Sequence, residues 1–164
     1  MHLVCLGVVK KIILLWIKGP LCVRLNRKII NKISHLMLLI KSSTPKEFVR
    51  KPRPISDIKH WKAIEFRNFL LYIGPTILRH VLKKDIYYNF LTLHAAMTIV
   101  TCPNFCQGYL LNFAEALFHN FVTSFQVLYG KEYVSHNIHN LLHLCSDVRR
   151  FGPVDNFSAF RFEN

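Results

Sequence analysis

Apolar residues recur at helical spacing along most of the chain, and no useful stretch alternates between apolar and polar side chains. The first run, residues 3–17, predicts a helix that ends near Gly19 and Pro20, because glycine and proline terminate helices. Residues 21–41 have apolar side chains every three or four positions with basic residues between them. This spacing predicts a second, basic amphipathic helix.

Residues 42–59 interrupt the helical pattern. They contain three prolines and five basic residues, a composition that disfavours regular secondary structure. The run Arg50-Lys51-Pro52-Arg53-Pro54 should be extended, because a residue that precedes proline is restricted to extended conformations. We interpret 42–59 as a Pro-rich basic linker, which could lie along a phosphate backbone, act as a nuclear-import signal or simply be solvated.

The second half of the chain is apolar and aromatic, and its periods predict further helices. Helices are predicted over residues 60–73, ended by Gly74 and Pro75, and over 76–84, 86–101, 110–128 and 132–150. The fold class is therefore all-α, an irregular bundle of about six or seven helices. A basic helical pair, 1–41, precedes the linker and a helical domain, 60–164, follows it. We expect the two parts to form one domain that is truncated at its C-terminus.

Charge is distributed unevenly along this chain. The net charge is +13; residues 1–60 contribute +11 of it and the remainder +2. Such a basic segment favours an anionic partner, either nucleic acid or a membrane surface, although a solvated helix face is the simpler explanation. The candidate DNA contacts are Lys10, Lys11, Arg24, Arg27, Lys28, Lys32, Arg50, Lys51, Arg53, Arg149 and Arg150. The last two could clamp a phosphate or neutralise a helix C-terminus.

Neither a membrane span nor a disulfide framework is indicated. Lys10 and Lys11 divide the first apolar run into pieces too short to cross a bilayer, and its charges are wrongly placed for a signal peptide. The five cysteines are odd in number and irregularly spaced, which indicates reduced thiols in an intracellular protein. Cys102 and Cys106 could be half of a metal site, but buried free cysteines are commoner.

A row of polar side chains follows the predicted last helix. His136, His139 and His143 stand at i, i+3 and i+7, and Asp147 lies one turn further on. Three interpretations remain open: a zinc site completed by a distant ligand, a hydrolytic site in which Asp147 or Glu163 holds a divalent metal, or a polar helix face. Glycine is too scarce for phosphate-cradling loops, and nucleophile-elbow and zinc-protease motifs are absent from the sequence.

Several segments together resemble the C-terminal half of CACTA (En/Spm-type) cut-and-paste transposases, in which a helical region is inserted into an RNase H-like catalytic core. The segments, in order, are MHLVCLGVVKKIILLWIKGP, RKPRPISDIKHWKAIEFRNFLLYIGPTILRHVL, YYNFLTLHAAMTIV and NIHNLLHLCSDVRRFGPVDNFSAFRFEN. The resemblance covers nearly the whole chain.

The resemblance implies a metal-dependent catalytic site of which most acidic residues are missing from this chain. Such transposases hold two divalent metals, magnesium or manganese, with three acidic residues. Met1 and His2 match the family's Asp-x-Met-His pattern, whose Asp lies upstream of this chain, and Glu163 matches the last catalytic acid. With two of the three acids missing, we expect no catalysis and no cofactor for the fragment. His139, His143 and Asp147 match a His-rich helix before that acid, whose role we take as structural or site-supporting.

The same resemblance sets the expected partners and location. We expect a remnant that binds duplex DNA, associates with itself or with a full-length transposase, and is found in the nucleus. The alternative is a structural or protein-interaction module that does not bind DNA.

Overall fold

The computed structural model describes residues 1–158, which form helices joined by turns and contain no strand within that range. Uninterrupted helical segments are counted together here as one helix. The helices are α1 (Leu3–Val9, a π-helical start, then Lys10–Lys18), α2 (Arg27–Ser43), α3 (Ala63–Asn68, the π-helical Phe69–Ile73, then Gly74–Leu78), α4 (Lys84–Thr101), α5 (Gly108–Tyr129) and α6 (His136–His139, the 3-10 helical Asn140–His143, then Leu144–Phe151). Short 3-10 helices occupy Ile55–His60, Lys131–Tyr133 and Val154–Asn156. The predicted all-α irregular bundle is confirmed.

The antiparallel pair α4 and α5 is the centre of the bundle, and α1 packs against it. The ring of Trp16 on α1 lies 5.9 Å from that of Phe90 on α4, centroid to centroid. One cluster of buried side chains extends from Met1 through α2 to Val154, so the first 41 residues share a core with the rest of the described chain. Arg67 on α3 donates two hydrogen bonds, of 2.9 and 2.7 Å, to the carboxylate of Asp155 and so attaches the last 3-10 helix to α3.

Two predicted helices start or end elsewhere in the structure. Residues 21–26 are not helical; the chain turns there, and the Leu25 amide donates to the carbonyl of Trp16 at 2.7 Å. Asn26 then caps α2, since its side-chain oxygen accepts from the Ile29 amide at 2.9 Å. In the C-terminal region, the predicted helix over 132–150 is a 3-10 helix at Lys131–Tyr133 followed by α6, which begins at His136.

The prediction that Gly74 and Pro75 end a helix was wrong. The backbone stays helical to Leu78, and no separate helix covers 76–84. The segment before Gly74 is π-helical, with the Gly74 amide bonded to the carbonyl of Phe69. The wider π turn accommodates proline, whose ring and missing N–H disrupt a regular α-helix.

The predicted linker is less independent than its composition suggested. Only residues 44–54 lie outside regular elements, because α2 continues to Ser43 and a 3-10 helix begins at Ile55. Ile55 is fully buried, and the indole of Trp61 donates to the carbonyl of Pro54 at 3.2 Å. The segment is therefore packed onto the bundle.

The helices predicted over residues 86–101 and 110–128 are confirmed. They are α4 and α5, and α5 ends at Gly130, whose φ of 101° favours glycine. His94 on α4 is half-buried, and its Nδ1 lies 3.0 Å from the carbonyl oxygen of Leu70. Across the part of the chain that the structure describes, no helix combines the length and apolar character needed to cross a membrane.

Candidate nucleic-acid interface

The outer side of α2 carries a group of exposed cations. Lys28 and Lys32 are exposed and lie one turn apart, so they face the same direction. Arg27 is exposed at the first turn, and Arg24 is exposed just before the helix. On the opposite side, Ile33 is fully buried. The cations of α2 and its core-facing side chains therefore lie on different faces of the helix.

Arg50 and Lys51 add two exposed cations from the irregular segment that lies against α2. Arg50 lines a small crevice together with Met37 of α2. We call the six exposed side chains the basic surface: Arg24, Arg27, Lys28, Lys32, Arg50 and Lys51. Within residues 1–158 none of the six makes a side-chain hydrogen bond or ion pair, so their charges are available to an anion.

Few carboxylates neutralise this part of the molecule. Residues 1–60 contain two acids, Glu47 and Asp57. Asp57 is occupied, since its oxygens lie 3.5 Å from Arg53 and 2.5 Å from the ring nitrogen of His60. Among the acids of residues 1–60, only Glu47 is then left to neutralise the remaining cations of this segment.

Arg53, one of the predicted DNA contacts, makes an internal contact instead. Its Nε and Nη2 atoms donate to the carboxylate of Glu65, each at 2.6 Å, and Nη2 also donates to the carbonyl of His60. The Glu65 hydrogen bonds raise the pKa of the Arg53 guanidinium. Glu65 also accepts the Lys62 amide at 2.8 Å, so one carboxylate caps α3 and holds the preceding irregular segment in place.

The two C-terminal arginines also contact protein groups. Arg149 donates to Glu115 at 2.6 Å and to Asn112 at 2.8 Å, joining α6 to α5. This bond lowers the pKa of the Glu115 carboxyl. Arg150 is exposed and its guanidinium lies 5.3 Å from the centroid of the Phe151 ring, a cation–π arrangement.

Lys10 and Lys11, the remaining predicted contacts, lie in the middle of α1. Both are only half exposed, since the flanking residues Val9 and Ile12 are fully buried. Their long side chains place apolar stems along the helix and ammonium groups at the surface. They are less accessible to a polyanion than the basic surface.

The histidine row is present but is not part of one regular helix. A 3-10 segment, Asn140–His143, separates the two α-helical parts of α6 and changes the rotation per residue. The rings of His139 and His143 still lie 5.8 Å apart, and His136 Nε2 is 2.9 Å from the side-chain nitrogen of Asn140. Asp147 is half-buried, one turn beyond His143.

No group of three His, Cys, Asp or Glu side chains suited to a metal ion occurs among residues 1–158. Cys102 and Cys106 are therefore not part of such a group within these residues. Neither forms a disulfide, and the Cys106 thiol donates to the carbonyl of Pro103 at 3.5 Å. Glu163, the candidate metal ligand and catalytic acid, lies outside the described residues.

Sequence reasoning missed a cleft next to the basic surface. It measures about 280 Å³ and lies between the end of α2 and α3, with Phe48 and Tyr72 on its walls. Lys41 and Lys46, exposed on either side of the end of α2, were also not singled out. The only sequence signal for this cleft is that Lys46 lies two positions before Phe48. Tyr72 reaches the cleft through tertiary packing, which the sequence pattern does not reveal.

Comparisons of this chain with protein-family models, curated proteins and solved structures found no match.

Proposed function

We propose that this chain is a fragment or domesticated remnant of a cut-and-paste DNA transposase, one that binds duplex DNA through its basic surface and does not cut DNA alone. The sequence resemblance supports the ancestry. The six exposed cations on and beside α2, which form no ion pair within residues 1–158, carry the DNA-binding part. Nuclear location follows from the same proposal.

Phosphate recognition is the chemistry that such a surface supports best. Lysine and arginine side chains on one helix face release counterions from DNA when they neutralise its phosphates, and affinity then falls as salt rises. Contacts to phosphates carry no sequence information directly, so we expect weak sequence selectivity. Lys28 and Lys32 are the central contacts, because they extend from one face of a helix whose other side is anchored in the core.

The test is fluorescence anisotropy with a labelled duplex between about 50 and 200 mM salt. Replacing both lysines, Lys28→Gln with Lys32→Gln, should weaken binding to every duplex sequence and reduce the salt slope by about one per lost contact. The matched control is Lys83→Gln with Lys84→Gln, which removes the same charge from exposed positions at the start of α4. Equal effects of the two pairs, or affinity independent of salt, would refute the proposed interface.

The proposed lack of catalysis has a separate test. Supercoiled plasmid incubated with the protein and magnesium or manganese should stay intact. Nicking that disappears in Glu163→Gln would contradict this part of the proposal.

A protein-interaction module is the second candidate, and a specific surface favours it. The outward side of α5 exposes Tyr109, Phe113 and Val127, and Val127 is 82% exposed. Exposed apolar side chains along one helix are typical of association surfaces. Self-association or pairing with a full-length transposase would bury them. Light scattering at high concentration distinguishes the cases, since a monomer would count against this candidate.

A further inference from the structure

We propose that the cleft between α2 and α3 binds an unpaired nucleobase, so that the protein prefers DNA with a single-stranded end over blunt duplex. This inference rests on the proposed DNA binding and adds to it a substrate feature. It depends on three observations: an exposed aromatic face, a cleft of suitable size and a surrounding positive charge.

The aromatic face belongs to Tyr72. Its ring meets that of Phe48 nearly edge to face, with centroids 5.5 Å apart and planes at 76°. Tyr72 therefore packs against Phe48 and is still 58% exposed. An aromatic ring that contacts a second ring and still exposes a large part of its surface is suited to stacking on a base.

The cleft beside this ring has room for a base. Its volume of about 280 Å³ is bounded by apolar side chains that include Ile40 and Pro45. Ser43 and Thr76, both exposed residues, also line the cleft, and their hydroxyl groups can exchange hydrogen bonds with the polar edge of a base. Thr44 contributes no free donor, because its hydroxyl donates to the carbonyl of Ile40 at 2.9 Å.

The charge around the cleft matches a nucleic-acid strand rather than an uncharged apolar ligand. Residues 41–51, which pass along it, contain the exposed cations Lys41, Lys46, Arg50 and Lys51 and a single carboxylate, Glu47. Arg50 reaches a crevice that shares Ile73 with the cleft. A base in the cleft would therefore have its backbone phosphates close to the cations of residues 41–51.

Binding is compared for three labelled DNAs of the same duplex sequence: blunt, with about four unpaired thymidines, and with the same overhang made abasic. We expect about tenfold tighter binding of the thymidine overhang than of either other DNA. The abasic overhang keeps the phosphates and removes the bases, so it separates stacking from charge. If the abasic overhang also bound more tightly than blunt duplex, the proposal would be overturned. Equal affinity for all three DNAs would overturn it too and would favour an apolar protein segment as the ligand of the cleft.

Variants assign the preference to the ring. Tyr72→Leu should bind blunt duplex as the wild type does and lose the overhang preference, whereas Tyr72→Phe should keep it. The control Tyr109→Leu, at a tyrosine that is 79% exposed on α5, should keep both properties. A 2-aminopurine in the overhang should lose fluorescence on binding to the wild type, but not to Tyr72→Leu; equal quenching by both would refute stacking.

The outcomes separate this inference from the proposed function. Blunt-duplex binding without overhang preference refutes the inference alone. Failure to bind any of the three DNAs refutes both.

Discussion

The indole N–H of Trp16 on α1 donates a hydrogen bond of 3.0 Å to the hydroxyl of Tyr129, the last residue of α5, although 113 residues separate them in the chain. Trp16 is fully buried and Tyr129 nearly so. Tyr129 also stacks on Phe125 with ring centroids 4.4 Å apart. Burial raises the pKa of the Tyr129 phenol, so the group stays neutral. This buried hydrogen bond joins α1 to α5 of the central pair.

Removing the acceptor should cost more than the bond itself. In Tyr129→Phe the Trp16 N–H stays buried without a partner, and we expect a loss of about 1–3 kcal/mol in the free energy of unfolding. Trp16→Phe should also destabilise, by lost volume and by the unpaired hydroxyl. The double variant should lose less than the sum, since neither polar group is then left alone. Urea denaturation of the four proteins measures the coupling, and strict additivity would rule out the interaction.

Gly74 is required by close packing at the π-helical part of α3. A Cβ at this position would lie 2.6 Å from Cζ of Phe90 and 2.7 Å from the backbone oxygen of Phe69. Gly74→Ala should therefore lower the free energy of unfolding by about 1–3 kcal/mol, in spite of alanine's better helix propensity. Thermal and urea unfolding check this prediction. Combining it with Phe90→Leu should give less than the summed loss, because the smaller side chain relieves the clash.

The Glu115–Arg149 pair should make stability depend on acid pH. Hydrogen bonding to Arg149 lowers the pKa of Glu115 below its usual value of 4.5 in the folded state. The contribution is therefore complete above about 4.5 and is lost as pH falls through the lower, folded-state pKa. Both side chains are more than a third exposed, so solvent screens the pair and we expect a small contribution to stability.

Glu115→Gln tests this dependence. It should be less stable than the wild type in urea at neutral pH, and the two should converge in strong acid. Glu132→Gln is the control, because it removes an exposed carboxylate that has no ion pair among the described residues. A difference for Glu115→Gln that stayed constant down to the acid limit would exclude the ionised pair as its cause.

One cysteine should react much faster than the others. Cys22 is exposed, Cys102 is half-buried, and Cys5, Cys106 and Cys145 are buried. Burial raises the pKa of the Cys145 thiol to about 12, which suppresses its reactive thiolate. Titration with Ellman's reagent under native conditions should show one rapid equivalent that Cys22→Ser removes. A rapid equivalent remaining in that variant would disprove the assignment.

Helical periods predicted the fold class and the two longest helices because α4 and α5 bury continuous apolar faces. They could not predict that α3 continues through Pro75, since the π turn depends on where Phe90 packs. Composition marked residues 42–59 as a linker, but burial of Ile55 and the Arg53–Glu65 bond are long-range features. For the same reason the sequence could not separate arginines that pair internally from those that stay free.

Three arginines that are not part of the basic surface each form an ion pair with a carboxylate: Arg53 with Glu65, Arg67 with Asp155, and Arg149 with Glu115. Residues 1–60 carry a net charge of +11 and the rest of the sequence only +2, so positive charge is concentrated in the first part of the chain. If the proposed DNA binding holds, this asymmetry would turn the protein as it diffuses towards a polyanion, so that α2 arrives first. Orientation would then be selected before contact, and the association rate constant would carry most of the ionic-strength dependence.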